Sequence, residues 1–422
     1  MKRAFYPADI LLPKKELSQS KWSVVACDQF TSEPEYWENV ENIVSDEPST
    51  YRMILPEVYL EEEDVESRIA AIQQVMIDYE EKGYFETYKD AMIYVEREDS
   101  EGKMRAGLVA CFDLEAYDYH KGSSSLIRAT EATVIERIPP RVKVRKDAIV
   151  ELPHIMILVD DPEQSVIEPI GQKKDKMEQV YDYDMMLGGG HNRGYLLDKE
   201  QQEKVLSALD LLGSQEHFDK KYDIHDMPVL LYAMGDGNHS LATAKECYEQ
   251  LKAAYPDQDM SKHPARYALA ELVNLHSPAL EFEAIHRIVT EIDSEDIKEK
   301  MTEELVLCEE ELANAQSFEI MENGVTKTMW IGKPSSKLTV GSVQNFLDAY
   351  LKEQGGKIDY IHGIDVMKNL TKQENSIGFL LPDMDKSELF PTVIFDGALP
   401  RKTFSMGHAQ DKRYYMECRK IK

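Results

Sequence analysis

The sequence predicts a mixed α/β protein, and three observations carry that expectation. Apolar runs of strand length, such as Ala265 to Leu275, alternate along the chain with amphipathic helical periodicities, such as Asp64 to Lys82. At Met227 to Leu251 an apolar run, a turn with two glycines and a helical repeat follow one another directly. At 422 residues and 42% apolar content the chain is long enough for two or three domains with cores of their own.

The elements follow in order. Ser23 to Cys27 reads as a strand entering a turn at Asp28-Gln29, and Thr31 to Val44 as a helix capped by Ser32 with Glu35 three positions later. Asp64 to Lys82 is a long amphipathic helix. Ala91 to Glu96 and Met104 to Phe112 form a strand pair around the turn Asp99-Ser100-Glu101-Gly102. Thr133 to Arg145 reads as strand broken by a turn at Pro139-Pro140, and His154 to Asp160 as a strand. Gln201 to Leu212 is helical, Met227 to Leu231 is a buried strand, and Ala265 to Leu275 is another. From about Ser294 onward, helices at Ile297 to Glu304 and Val343 to Glu353 alternate with strands at Thr326 to Ile331 and Ile377 to Leu381. The Glu/Lys-rich stretch Thr290 to Glu304 sets a boundary near residue 290. It separates a main domain, 1–290, from a C-terminal α/β region, 291–422, whose last strands return to the main domain.

Charge excludes whole classes of partner. A net charge of −29 argues against nucleic acid, which needs a Lys/Arg surplus, and against anionic membranes. The expected partner is a small molecule. The cysteines (27, 111, 247, 308 and 418) are far apart and form no Cys-x-x-Cys pair, which fits reduced, buried thiols and a cytoplasmic protein. No window approaches a membrane span and the N-terminus has no apolar leader. Nothing in the sequence sets an oligomeric state.

The segment with most chemistry is Gly235-Asp236-Gly237-Asn238-His239-Ser240, at the start of the helix carrying Leu241, Ala244, Tyr248 and Leu251. The glycines permit a sharp turn, Asp236 or Asn238 can cap the helix, and a helix start favours an anion such as phosphate. A carboxylate, a histidine and a hydroxyl lie within five residues of those amides. A second cluster, Gly188-Gly189-Gly190-His191-Asn192-Arg193, can wrap a phosphate or carboxylate, but lacks the Gly-Lys-Ser/Thr of a Walker loop. Arg128, Glu131 and Thr133 are a third candidate: Arg128 offers a bidentate donor and Glu131 a general base. Asp28 ends the first strand, where α/β ligand sites tend to form. His286 and Arg287 follow a strand-like run, and Arg401 and Lys402 can return positive charge to the site.

Several of these motifs together resemble the domain-of-unknown-function family 1015. Asp236-Gly237-Asn238-His239-Ser240 resembles its Asp-Gly-His-His-Arg motif, and Arg52 to Glu57 its Arg-(apolar)3-Pro-Glu element. Arg128-Ala129-Thr130-Glu131-Ala132-Thr133 resembles Arg-x-His-Glu-x-Thr, Ile285-His286-Arg287 resembles Thr-His-Arg, and Pro400 to Thr403 resembles the C-terminal Pro-x-Lys-Ser-Thr. The central motif is in turn similar to that of the ParB/sulfiredoxin superfamily, whose members include archaeal free-serine kinases. The resemblance implies a ParB/sulfiredoxin-like nucleotide-binding core, a nucleotide (ATP or ADP) with Mg²⁺ on Asp236, and a phosphotransferase or phosphatase acting on serine or a similar metabolite. In that reading Glu131, Asp236 and His239 are catalytic. Gly237, Asn238, Ser240, Arg128 and Thr133 bind phosphate, and Asp28, Arg52, Gly189, His191, Arg193, His286, Arg287 and Arg401 line the substrate pocket. Ser240 stands where the family has arginine and Thr130 where it has histidine, which marks a divergent branch. The alternative is a regulatory protein that binds a nucleotide or metabolite without turnover.

Overall fold

The computed structural model describes residues 2–31, 33–60, 62–131 and 138–422. The chain forms two compact units, Met1–Leu280 with Gly407–Lys422, and Glu281–Met406. The division falls at Leu280 rather than at 290, because Phe282–Ala284 and His286–Thr290 pair only with strands of the second unit.

The first unit is built on a mixed ten-stranded sheet. Its order runs Glu178–Asp184, His191–Leu196, Ile93–Glu98, Met104–Asp113, Tyr267–Asn274, Met156–Val159, Tyr232–Asp236, Ile127–Arg128 and Tyr117–Asp118, with Phe5–Tyr6 against Met104–Asp113. Period-two alternation decides how the sheet is covered. In Met104–Asp113, Leu108, Ala110 and Phe112 enter one core with Val205 and Leu209 of the Lys199–Leu212 helix and Leu241, Ala244 and Tyr248 of the Asn238–Ala254 helix. Val109 and Cys111 enter the other, with Ile69, Ile72, Met76 and Tyr79 of the Val65–Glu81 helix. The sheet is therefore apolar on both faces and lies between helices, the arrangement of an α/β layer fold.

The second unit holds a six-stranded antiparallel sheet in the order Leu307–Cys308, Val325–Ile331, Gln316–Glu322, Ser376–Leu380, His286–Thr290 and Lys357–Ile361. The helices Ser294–Leu305 and Thr339–Gln354 bury Ile297, Met301, Val343, Phe346 and Leu347.

Four local expectations are corrected. Ser23–Cys27 is not a strand: Gln19–Trp22 is a short helix, and the segment makes a single bridge, Val25 to Arg413. The following helix is Pro34–Val44, entered by its proline with no side-chain cap at Glu33; Ser32 lies outside the described residues. Ile138–Lys146 is helical, because Pro139 and Pro140 sit in the first turn, where a missing N–H costs nothing. The strand before the two-glycine turn is Tyr232–Asp236 rather than Met227–Leu231, and it takes in Gly235.

Candidate functional site

The site is built where Tyr232–Asp236 gives way to the Asn238–Ala254 helix. Gly237 caps that helix with φ +78°, a left-handed conformation that no side-chain cap supports. A Cβ at Gly237 would lie 3.0 Å from Ile155 Cα, so the residue is small for packing reasons as well. Neither Asp236 nor Asn238 caps the helix. Asp236 Oδ1 instead accepts from the Gly237 N–H at 2.9 Å. The first intrahelical bond is Leu241 N–H to Gly237 C=O, so the amides of the first turn precede the helical ladder. Asn238 Oδ1 is buried with no protein donor among the described residues, and retains capacity for a ligand.

Four groups gather around this turn that lie far apart in sequence. The C-terminal segment returns beside residues 24–26: Ala26 N–H donates to Lys412 C=O at 2.7 Å, and Tyr414 N–H to Val24 C=O at 2.9 Å. That pairing places Lys412 Nζ 3.6 Å from Asp236 Oδ2. The Asp236 charge, joined by Asp28 and Glu131, raises the Lys412 ammonium above its ordinary range against the opposing effect of burial. Burial pushes the Asp28 carboxyl up, but His154, Gln29, Lys412 and Arg141 outweigh it and hold the group below the usual carboxylate range. His154 Nε2 lies 2.8 Å from Ser240 Oγ, and its ring meets Tyr414 edge-on at 5.1 Å.

A cavity of about 140 Å³ is bounded on one side by His154, Ser240 and Tyr414. Its polar lining includes Cys27, Glu57, Arg141, His154, Ser240 and Thr243. Its apolar wall is formed by residues such as Leu55, Val144, Leu152 and Leu269. Glu57 and Arg141 pair with each other, while Arg145 and Arg419 both donate to Glu151. Burial pushes the Cys27 thiol up to about 12, so it is protonated and not a ready nucleophile.

Asp28, Glu131 and the turn residues Asp236, Gly237, Asn238, His239 and Ser240 belong to this region, whereas the remaining expected residues of the described chain are engaged elsewhere. Thr133 lies outside the described residues. Arg128 spends its guanidinium on backbone carbonyls, donating to Ser125 at 2.8 Å and to Pro228 at 2.8 Å. Burial lowers its pKa, and its nearest partners are neutral. Thr130, in the place of the family histidine, donates to Met234 C=O at 2.9 Å. Thr243 donates to the His239 carbonyl at 2.7 Å, fixing that turn of the helix.

Arg52 makes a two-point pair with Glu41, at 2.9 and 2.7 Å. Gly188 to Gly190 form the tip of the hairpin between Glu178–Asp184 and His191–Leu196. That tip closes on a guanidinium of the chain itself: a Cβ at Gly189 would collide with Arg413, which donates to Met186 C=O at 2.9 Å. His191 is held between Asp182 and Asp184, at 2.6 Å from each, with Arg193 3.9 Å from Asp182. In the second unit, Arg287 is fully buried and donates to Gln344 and to the Arg401 carbonyl. His286 Nδ1 accepts from Leu381 N–H at 3.1 Å, and Arg401 pairs with Asp348 at 2.5 Å.

Sequence reasoning missed Lys412, His154, Glu57 and Arg141. Glu57 ends the Pro-Glu element that begins at Arg52, and His154 opens a predicted strand. Lys412 carries no sequence signal, since only the chain's return brings it to Asp236. Among the described residues no three His, Cys, Asp or Glu side chains form a group that could hold a metal ion.

The family model described as "Protein of unknown function (DUF1015)" matches residues 8–391. The chain belongs to that family. Solved structures similar to this DUF1015 chain include a free serine kinase in complex with AMP, at 11% identity and a TM-score of 0.38, covering 71% of this chain and 88% of that one. A conserved hypothetical protein from Pyrococcus furiosus matches at 11% identity and 0.36, covering 71% and 90%. SbnI from Staphylococcus aureus, truncated at its C-terminus, matches at 8% and 0.36, covering 74% and 81%. At these values no residue role is carried across. No curated protein matches the chain. Among the described residues no helix is long and apolar enough to cross a membrane.

Proposed function

We propose that the Asp236 turn binds a phosphorylated small molecule, with a nucleotide such as ATP or ADP as the leading class, and moves its phosphoryl group to or from a small hydroxylated metabolite such as serine. The observation that carries this reading is Lys412, drawn among Asp28, Glu131 and Asp236 at the start of a long helix. Phosphoryl transfer needs positioned charge and an aligned hydroxyl more than covalent chemistry. A phosphate at the helix start accepts from the amides of the first turn and takes Lys412 as its counter-charge. Glu131 then serves as base toward the acceptor hydroxyl, and His239 orients the transferring group.

The described residues form no metal cage, so Mg²⁺ fits only as an ion held by Asp236 together with phosphate oxygens and water, the usual manner of nucleotide-bound Mg²⁺. When bound, it supplies neutralisation of phosphate charge.

A second reading, binding without turnover, is favoured by Ser240 in the place of an arginine and by the commitment of Arg128 to carbonyls. Calorimetric titration with ATP and ADP, with and without Mg²⁺, beside a phosphate-transfer assay on serine, separates the two. Asp236→Asn keeps the fold and loses Mg²⁺-dependent nucleotide affinity by about tenfold or more, because the amide keeps the size but not the charge. Unchanged affinity in that variant removes the metal role. Wild-type protein that binds nucleotide but transfers nothing leaves the binding reading, and one that binds no phosphorylated ligand sinks both.

A further inference from the structure

The Ser240–His154 contact is not needed for phosphate binding, and it stands in a setting that phosphate chemistry does not explain. Ser240 is the third residue of the Asn238–Ala254 helix, beside amides that precede the helical ladder. Its Oγ lies 2.8 Å from His154 Nε2, so the hydroxyl donates whenever that nitrogen carries no proton. The His154 ring is steadied edge-on by Tyr414 at 5.1 Å. Burial pushes the Asp28 carboxyl up, and the charges of His154, Lys412 and Arg141 with the Gln29 hydrogen bond hold it below its usual range. Both Ser240 and His154 line the 140 Å³ cavity, whose wall is largely aliphatic. Its volume is that of a short acyl or aryl group, and its aliphatic wall beside Ser240 gives such a group apolar contact.

We propose that Ser240 and His154 form a nucleophilic site for acyl transfer from esters of small apolar carboxylic acids, with Ser240 as nucleophile and His154 as base. In the first step Ser240 Oγ forms a bond to the acyl carbon and its proton passes to His154 Nε2. The ester C–O bond breaks, and the same proton goes to the departing alkoxide. In the second step water attacks the acyl-Ser240 carbon, His154 takes the water proton and returns it to Ser240 Oγ, and the carboxylic acid leaves. The sum is ester plus water to acid plus alcohol. The amides of the helix's first turn are the donors available to the oxyanion. The observed pair is the hydroxyl and imidazole of residues 240 and 154, the nucleophile and base of a serine hydrolase.

The proposal goes beyond the phosphate reading and does not rest on it. Its test uses the full chain with an alkyl fluorophosphonate and with p-nitrophenyl butyrate, followed by peptide mass spectrometry; neither involves a nucleotide. The expected result is one phosphonyl or butyryl adduct on Ser240, absent in Ser240→Ala. His154→Ala slows adduct formation about a hundredfold, the scale of a lost general base, and added imidazole restores part of the rate. An unmodified Ser240 in the folded wild-type protein overturns the proposal. So does an adduct confined to Thr243 or another residue, or a His154→Gln variant that keeps its melting temperature and reacts at the wild-type rate. Turnover of p-nitrophenyl phosphate but not of the butyrate ester also overturns it, while leaving the phosphate reading standing.

Discussion

Arg128 and Lys412 show how neighbours decide what a cation does. Arg128 offers the geometry that binds phosphate, yet its N–H groups point at the carbonyls of Ser125, Pro228 and Val229 and hold the Ile127–Arg128 strand to the approach of Tyr232–Asp236. Arg128→Met is expected to cost about 1–3 kcal/mol, the scale of buried acceptors left unmet, while nucleotide affinity changes less than twofold. Urea denaturation and calorimetry on the same variant check both parts. Glu417 is the opposite case, a carboxyl buried in the first unit. Burial pushes its pKa from 4.5 to about 7, although Tyr181 donates to it at 2.6 Å. The folded value lies above the unfolded one, so the folded state holds the proton more tightly. The stability this contributes is complete below pH 4.5 and is lost as pH rises to about 7. Glu417→Gln keeps an acceptor for Tyr181 without the ionisation. It is expected to melt higher than wild type at pH 8, by an amount on the order of 3 kcal/mol, with the gap closing near pH 4.5. A difference that is constant with pH in thermal melts refutes this.

At the scale of elements, the two glycine clusters look alike in sequence and do different work. Gly237 has φ +78° and is closed in by Ile155, so it both turns the chain into the helix and lets the Met156–Val159 strand approach. Gly237→Ala is expected to destabilise by about 1–3 kcal/mol from the left-handed backbone alone, and to disturb the amides proposed to meet a phosphate. Chemical denaturation combined with nucleotide titration reads both, and a variant as stable as wild type contradicts the strained turn. At Gly188 to Gly190 the same composition makes a hairpin tip wrapped on Arg413, because the flanking sequences alternate as strands and the chain supplies its own cation. Pro139-Pro140 teaches a similar lesson: read locally it is a turn, but with Ile138 buried it opens the Ile138–Lys146 helix that brings Arg141 and Arg145 to the cavity.

At the scale of the molecule, the last sixteen residues belong to the first unit although a whole second unit precedes them. They supply Lys412 to the site, Arg413 to the glycine hairpin and Arg419 to the buried Glu151, whose carboxylate also takes Arg145 and the Leu269 N–H. A chain ending at Met406 leaves the Glu151 charge with one guanidinium fewer. Breaking such a pair costs about 3–5 kcal/mol, so the first unit is expected to lose cooperative unfolding and near-UV circular dichroism. A truncated chain that melts cooperatively at the wild-type temperature contradicts this role. The mixed α/β class, the Val65–Glu81 and Lys199–Leu212 helices, the hairpin of Ile93–Glu98 with Met104–Asp113 and the strand–turn–helix at Asp236 were legible in sequence. Each depends on periodicity or turn residues within a short window, where local sterics and burial decide the backbone. What only the tertiary structure decided is which charges meet there. Lys412 reaches Asp236 across 176 positions because the chain's end pairs with residues 24–26, and Arg128 donates to a carbonyl a hundred residues away. Electrostatic partnership falls off with distance in space and is blind to separation in sequence, so no local pattern records it.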